Sequence, residues 1–257
     1  MLRTDDAWTL PLLYHLNTEP WLNLDAYSDP AHEMLFQTAP PGGSPVQMEK
    51  PGDTPIRNAI RARRSCRAFA DRSMPLASLA AILSDTYGVT GFIEGPERHV
   101  MYTRPVPSAG ALYPLEVYVA TRAVDGVGDG LHHYHARDHT LEPIKAGPVM
   151  RELGDLLIGQ HYLAAANAAI ILTAVFGRTL KKYGPRGYRY VLFEAGHAAQ
   201  NVCLLATELD LGSICTGGFY DRRLNRYLGL DGSSHAVLYL IGLGHRAAAA
   251  PAAETIG

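Results

Sequence analysis

Arg63, Arg64, Ser65 and Arg67 place three guanidinium groups and a hydroxyl within five residues, in the run RRSCR. Guanidinium forks meet phosphate oxygens two at a time, and such charge-assisted hydrogen bonds are about twice as strong as neutral ones. The grouping suits one dianionic group, although taken alone it reads more simply as a solvated basic patch. A second candidate is Lys182-Tyr183, in a stretch from 178 to 190 dense in Lys, Arg and Tyr and broken by Gly184-Pro185. A lysine and a tyrosine beside a ligand can provide a base where burial and a neighbouring cation tune one of them. The plainer account is a polar loop feeding a helix. Thr216-Gly217-Gly218 and Pro107-Ser108-Ala109-Gly110-Ala111 are runs of small residues, where backbone can approach a flat ligand without an intervening Cβ. His132, His133, His135 and His139 form the last cluster. His133 and His135 alternate within residues 130–144, no fixed set of Cys or carboxylate ligands accompanies them, and Arg137-Asp138 marks a turn. A hairpin is therefore the better account than a metal centre.

These residues need elements to hold them. Residues 194–209 carry Ala195, Ala198, Ala199, Val202, Cys203, Leu205, Ala206 and Leu209, apolar around most of a helical circumference, which predicts a buried helix. Gly196 and its alanine neighbours leave room for a second backbone, and Gly212 suits the C-terminal cap. Thr54-Pro55 reads as an N-cap and first helical position for a helix over 56–64 that runs into the arginines. Residues 75–87 form an amphipathic helix ending at Gly88. A strand over 116–121 follows the small-residue loop, with Val117 and Val119 on one face. A helix over 147–159, a buried strand over 164–175, a short helix over 221–228 and a final buried strand over 236–243 complete the pattern. Residues 10–16 suit a short helix. The Pro- and Gly-rich run 39–55 reads as a linker or extended arm, and the alanine-rich run after Arg246 as a frayed tail.

The chain has 257 residues, 47% of them hydrophobic, enough for one large domain or two small ones. A net charge of -2 points to neither nucleic acid nor an anionic membrane. Cys66, Cys203 and Cys215 are too few and too scattered for a disulfide framework or zinc site and read as small buried hydrophobes. The start, Met1-Leu2-Arg3 followed by Asp5-Asp6, lacks the look of a signal peptide, and no apolar run approaches a membrane span. A reducing, cytoplasmic setting is expected.

The motifs RRSCRAF, PSAGALYPLEVYV, EAGHAAQN and ICTGGF, in this order and at these separations, resemble the nitroreductase superfamily of FMN-dependent enzymes. Within it the resemblance is to the SagB-type branch, which includes the thiazoline and oxazoline dehydrogenases of azole peptide biosynthesis. It covers about residues 56–246. The resemblance implies an α+β fold, a mixed β-sheet flanked by helices, in an intertwined homodimer whose central long helix lies in the dimer core. It implies an N-terminal arm and linker over 1–54, an FMN-binding domain over 55–246 and a flexible tail over 247–257. Arg63, Ser65 and Arg67 match the motif holding the FMN phosphate and ribityl chain, and Arg64 fills a slot that also contacts FMN. Pro107, Ser108, Ala109 and Gly110 match the loop against the flavin. Ile214, Cys215, Thr216, Gly217 and Gly218 match the segment at its pyrimidine and N5 edge.

Two departures accompany the match. Ala111 and Tyr113 stand where the familiar nitroreductase pattern has Asn and Gln, which favours the SagB-type branch. The C-terminal basic pair of many relatives is missing, and Arg246 takes its part. Lys182-Tyr183 sits where azoline dehydrogenases carry their active-site Lys-Tyr pair, so Lys182 or Tyr183 is the implied base that takes a ring proton as a hydride passes to FMN. The implied partners are a second copy of the chain, a peptide-derived or carrier-bound small-molecule substrate and a biosynthetic partner protein, with no metal, nucleic acid or membrane. An NAD(P)H-dependent nitro, quinone or flavin reductase and a non-catalytic scaffold subunit are the alternatives.

Overall fold

The computed structural model describes residues 9–18, 44–94 and 100–247. Most of the expected arm over 1–54, and the tail over 247–257 beyond its first residue, lie outside the described residues. Among the described residues the α-helices are, in chain order, α1 (Thr9–Asn17), α2 (Pro55–Ala62), α3 (Leu76–Tyr87), α4 (Val149–Gly154), α5 (Gly177–Tyr183), α6 (Gly187–Glu208) and α7 (Asp221–Tyr227). The strands are β1 (Gly91–Glu94), β2 (Val100–Thr103), β3 (Leu115–Thr121), β4 (Gly130–His135), β5 (Thr140–Ala146), β6 (Ala168–Val175), β7 (Leu211–Thr216) and β8 (His235–His245).

β6 is the centre, because AAIILTAV has no polar side to give to water. All its residues but Val175 are buried. A strand buried on both faces needs cover on both, and the sheet around it, in the order β5-β4-β3-β6-β8-β7, receives it. Its strand pairs are antiparallel, and parallel bridges at Ser65–Ser213 and Met74–Val124 add the other sense at its margins. Alternation divides β6 between two cores. Ile170 and Leu172 pack with Leu79 and Ile82 of α3 and Val191, Ala198 and Val202 of α6. Ala169 and Ile171 pack with Met150 and Leu153 of α4 and Leu224 of α7. Among the described residues no helix is long and apolar enough to cross a membrane.

Several expectations need correction. The long helix begins seven residues before Glu194, at Gly187, after a single 3-10 turn at Gly184–Arg186. It is not buried all round: Phe193 is 55% exposed, Leu192 37%, and a Cβ on Gly196 would meet nothing within 4 Å. Gly212 does not cap it. Leu209 is the cap, Asp210 takes the left-handed conformation with φ 54°, and Gly212 lies inside β7. The helix expected over 147–159 is only α4, and Leu157 instead forms a bridge with Phe219. The strand expected from 164 starts at Ala168, because His161–Ala165 is a 3-10 turn.

Candidate active site

The arginine run is laid along the edge of the sheet. The Thr54 hydroxyl accepts a hydrogen bond from Arg57 N at 3.3 Å and starts α2, which ends just before Arg63. The chain then runs extended beside β7 and β8. Cys66 N donates to Ser213 O at 2.8 Å, Ala70 N to His245 O at 2.8 Å and Ala247 N to Ala68 O at 3.0 Å. Gly212 permits this approach: a Cβ there would lie 2.6 Å from Cys66 Sγ and 3.1 Å from Arg246 Cγ. Arg246 Nη2 donates to Leu211 O at 3.2 Å, which sets its side chain beside the same edge. Arg64 is used differently, since its Nη1 donates to Arg61 O and Arg63 O and finishes the end of α2. Among the described residues neither Arg63 nor Arg67 is ion-paired to a carboxylate.

From Ser213 to Thr216 is three residues of strand, a run of about 10 Å. The small-residue turn therefore lies on the edge that carries the arginines. Gly218 N donates to the Thr216 hydroxyl at 3.1 Å, and Ile158 N donates to Gly218 O at 2.9 Å, which fixes the turn. A Cβ on Gly217 would meet only open space, so the backbone there can take a flat group against it. Unpaired guanidiniums followed by a bare turn on one strand edge fit the phosphate and ring ends of FMN.

Cys215 meets Cys203 of α6 with the sulfurs 3.4 Å apart, so two cysteines read from the sequence as independent form a pair. A hydrogen bond from Cys215 draws the Cys203 thiol below the usual range, against burial and with help from Ser213 and Arg63. The same bond and burial push Cys215 upward.

The second group gathers at the start of α6. Gly110, Ala111 and Tyr113 all adopt left-handed conformations, with φ of 65°, 53° and 42°. Such residues persist only where the surroundings hold them, at about 1–3 kcal/mol each for the non-glycines. Here Tyr113 N donates to Ser108 Oγ at 2.9 Å, Arg104 N to the Tyr113 hydroxyl at 3.1 Å and Arg178 Nη1 to Tyr113 O at 3.2 Å. A Cβ on Gly110 would lie 2.7 Å from both Lys182 Nζ and the Tyr183 hydroxyl. The loop and the Lys-Tyr pair are thus in contact. Lys182 is exposed and Tyr183 half-buried, so the chain itself does not desolvate the lysine.

Beneath the loop lies Glu194, 2% exposed. Burial raises its carboxyl, while hydrogen bonds from Ser108 and Tyr87 and the Arg104 guanidinium oppose the rise. Arg104 sits 4.3 Å over the Tyr87 ring. Tyr87, Arg104 and Glu194 were missed as site residues. The signal was present: a glutamate inside an otherwise apolar helix must find a partner.

Gly110 of the small-residue loop is therefore brought to Lys182 and Tyr183, whereas Ser65 meets β7 at Ser213, Arg246 reaches Leu211, Arg63 acts on Cys215, and Thr216, Gly217 and Gly218 lie further along the same strand edge. The two groups are offset in one chain. Nine residues of α6, a rise of about 14 Å, separate Glu194 beneath the first group from Cys203 beside the second. The histidines form the expected hairpin, β4 with β5, in which His133 faces Glu142.

The sequence profile of the nitroreductase family matches residues 60–245. The nitroreductase-family protein MJ1384 of Methanocaldococcus jannaschii is 38% identical over 183 residues, covering 71% of this chain and 88% of that protein. The microcin B17-processing protein McbC of Escherichia coli is 31% identical over 133 residues, half of this chain and 49% of that one. Among solved structures, the E. coli microcin synthetase McbBCD complex with truncated pro-MccB17 bound is similar at a TM-score of 0.63 and 25% identity, over 88% of this chain and 82% of that chain.

Proposed function

The chain belongs to the nitroreductase family of flavin-type oxidoreductases, and we propose that it is an FMN-dependent dehydrogenase that oxidises a thiazoline or oxazoline in a peptide-derived natural product. The observation that carries this reading is the contact of Gly110 with both Lys182 and Tyr183, which puts a proton acceptor against the small-residue loop. The similarity to a microcin-processing protein supports the peptide setting.

Arg63, Arg67 and Arg246 would hold the phosphate of FMN, with Ser65 beside them, and the backbone of Thr216-Gly217-Gly218 would lie along the ring. When bound, FMN supplies the acceptor for the hydride removed from the azoline ring. The chain supplies the base: the Tyr183 oxygen or the Lys182 nitrogen takes the proton from the adjacent ring carbon. Substrate or a second subunit over Lys182 would exclude water from it. The offset of the two residue groups along α6 supports a homodimer, in which each copy's loop completes the other's arginine edge. Leu192, Phe193 and the open Gly196 give α6 an apolar, close-approach face for that contact. A biosynthetic partner protein would deliver the substrate, in the cytoplasm.

The test is the absorbance of purified protein and of its variants. The parent is yellow after reconstitution, and Lys182→Ala and Tyr183→Phe keep the colour while azoline oxidation falls by a factor of about 100 or more. A colourless parent removes the flavin. Wild-type oxidation by both variants removes the base. Rapid anaerobic bleaching by NADPH, without azoline oxidation, would assign a reductase instead.

A further inference from the structure

We infer that β3, β4 and β5 build a site for one divalent transition-metal ion of the zinc class, bound by His133, His135 and Glu142 and supported by Glu116. His133 and His135 are two residues apart on β4 and so project from one face. Glu142 lies opposite His133 on β5. One donor atom from each of the three lies within 4.8 Å of the others. The two imidazoles meet edge to face at 4.7 Å, and His135 Nε2 is 2.6 Å from Glu142 Oε2.

Glu116 has the place of a supporting carboxylate. Its Oε2 is 3.0 Å from His133 Nε2, and Arg178 Nη2 donates to its Oε1 at 2.5 Å. A carboxylate that fixes the ring of a metal-binding histidine is the usual companion of such ligands. The arrangement is also readable as two separate His–Glu pairs on a hairpin. Two separate pairs, however, do not need their donors to converge, and these do.

Two imidazole nitrogens and one carboxylate oxygen suit zinc and leave a fourth position open. His133, His135 and the supporting Glu116 border a cavity of about 260 Å³ that Tyr87, Arg104 and Arg137 also line. None of the three proposed ligands belongs to the arginine edge or the Lys-Tyr pair, and Glu116 is linked to the small-residue loop through Arg178, which also donates to Tyr113 O.

The test uses the full chain, stripped by chelator and titrated with zinc chloride against a chromogenic indicator, with metal content measured after gel filtration. One zinc per chain is expected. Glu142→Gln and the double variant His133→Ala/His135→Ala weaken binding at least about tenfold, and Glu116→Gln by about 10–100-fold. His161→Ala, an exposed histidine elsewhere, binds as the parent does. Glu142 is 64% exposed, so its variant reports on the site even where the double variant fails to fold. Absence of retained zinc in the parent, or parent-like binding by Glu142→Gln, overturns the site.

Discussion

The Tyr87 hydroxyl, at the end of α3, donates a 2.7 Å hydrogen bond to Glu194 Oε1 in the middle of α6. The same hydroxyl accepts a 3.1 Å bond from Leu115 N, the first residue of β3. One phenol thus ties together two helices and the strand that follows the small-residue loop. Ser108 adds the loop itself to the network through Glu194. The left-handed residues Ala111 and Tyr113 are tolerable because this buried network holds their neighbours on both sides.

Tyr87→Phe keeps the packing and removes the hydroxyl. It leaves the Glu194 carboxylate and Leu115 N each short of a partner in a buried place. Leaving a buried polar group unsatisfied costs about 1–3 kcal/mol. A loss of that order is expected in urea denaturation at neutral pH, with the m-value unchanged. Parent-like stability would mean that water replaces the hydroxyl at no cost.

What the sequence made legible follows from periodicity. α3 is readable from its helical period and β6 and β8 from unbroken apolar runs, because all three bury within the same chain. The start of α6 was hidden because Gly187, Tyr188, Arg189 and Tyr190 look like the loop before them, and a tight turn at Gly184-Pro185 looks like a stop. The exposure of Leu192 and Phe193 was hidden for another reason: an apolar side chain records that it prefers burial, not which chain buries it. The arginine run and the glycine turn were readable as types. Their adjacency depends on Ser65 meeting Ser213 across the fold, which no local pattern carries. The role of Gly212 is the plainest case, since its need to lack a Cβ is set by Cys66, far away in the chain.

That contact gives a second prediction. Gly212→Ala would place a Cβ 2.6 Å from Cys66 Sγ and 2.7 Å from Cys66 Cβ. Cys66 is tied to Ser213 O by its backbone, so the arginine segment must move as a unit. The expected result is a folded protein whose affinity for FMN falls at least about tenfold, read by fluorescence quenching on titration, because misplaced guanidiniums lose bidentate geometry. Unchanged affinity, with the flavin still bound, would show that the segment's register on β7 does not position the arginines for it.

The third prediction concerns acid. Burial alone would raise the Glu116 carboxyl, but the hydrogen bond from His133 and the Arg178 guanidinium outweigh burial and hold it at about 2, below its ordinary 4.5. A carboxyl depressed in the folded state contributes stability that is fully present above the unfolded value, and lost as pH falls toward the folded one. The window here is from about 4.5 down to about 2. Glu116→Gln is therefore less stable than the parent at neutral pH, and the gap narrows across that window as the parent loses its advantage. Urea denaturation midpoints of both proteins, taken at steps between pH 7 and the acid limit of folding, measure the gap. A gap that stays constant through the window would mean that Arg178 and His133 act on Glu116 only as shape, with no charge preference, and that the carboxylate is not what holds the β3–β4 face together.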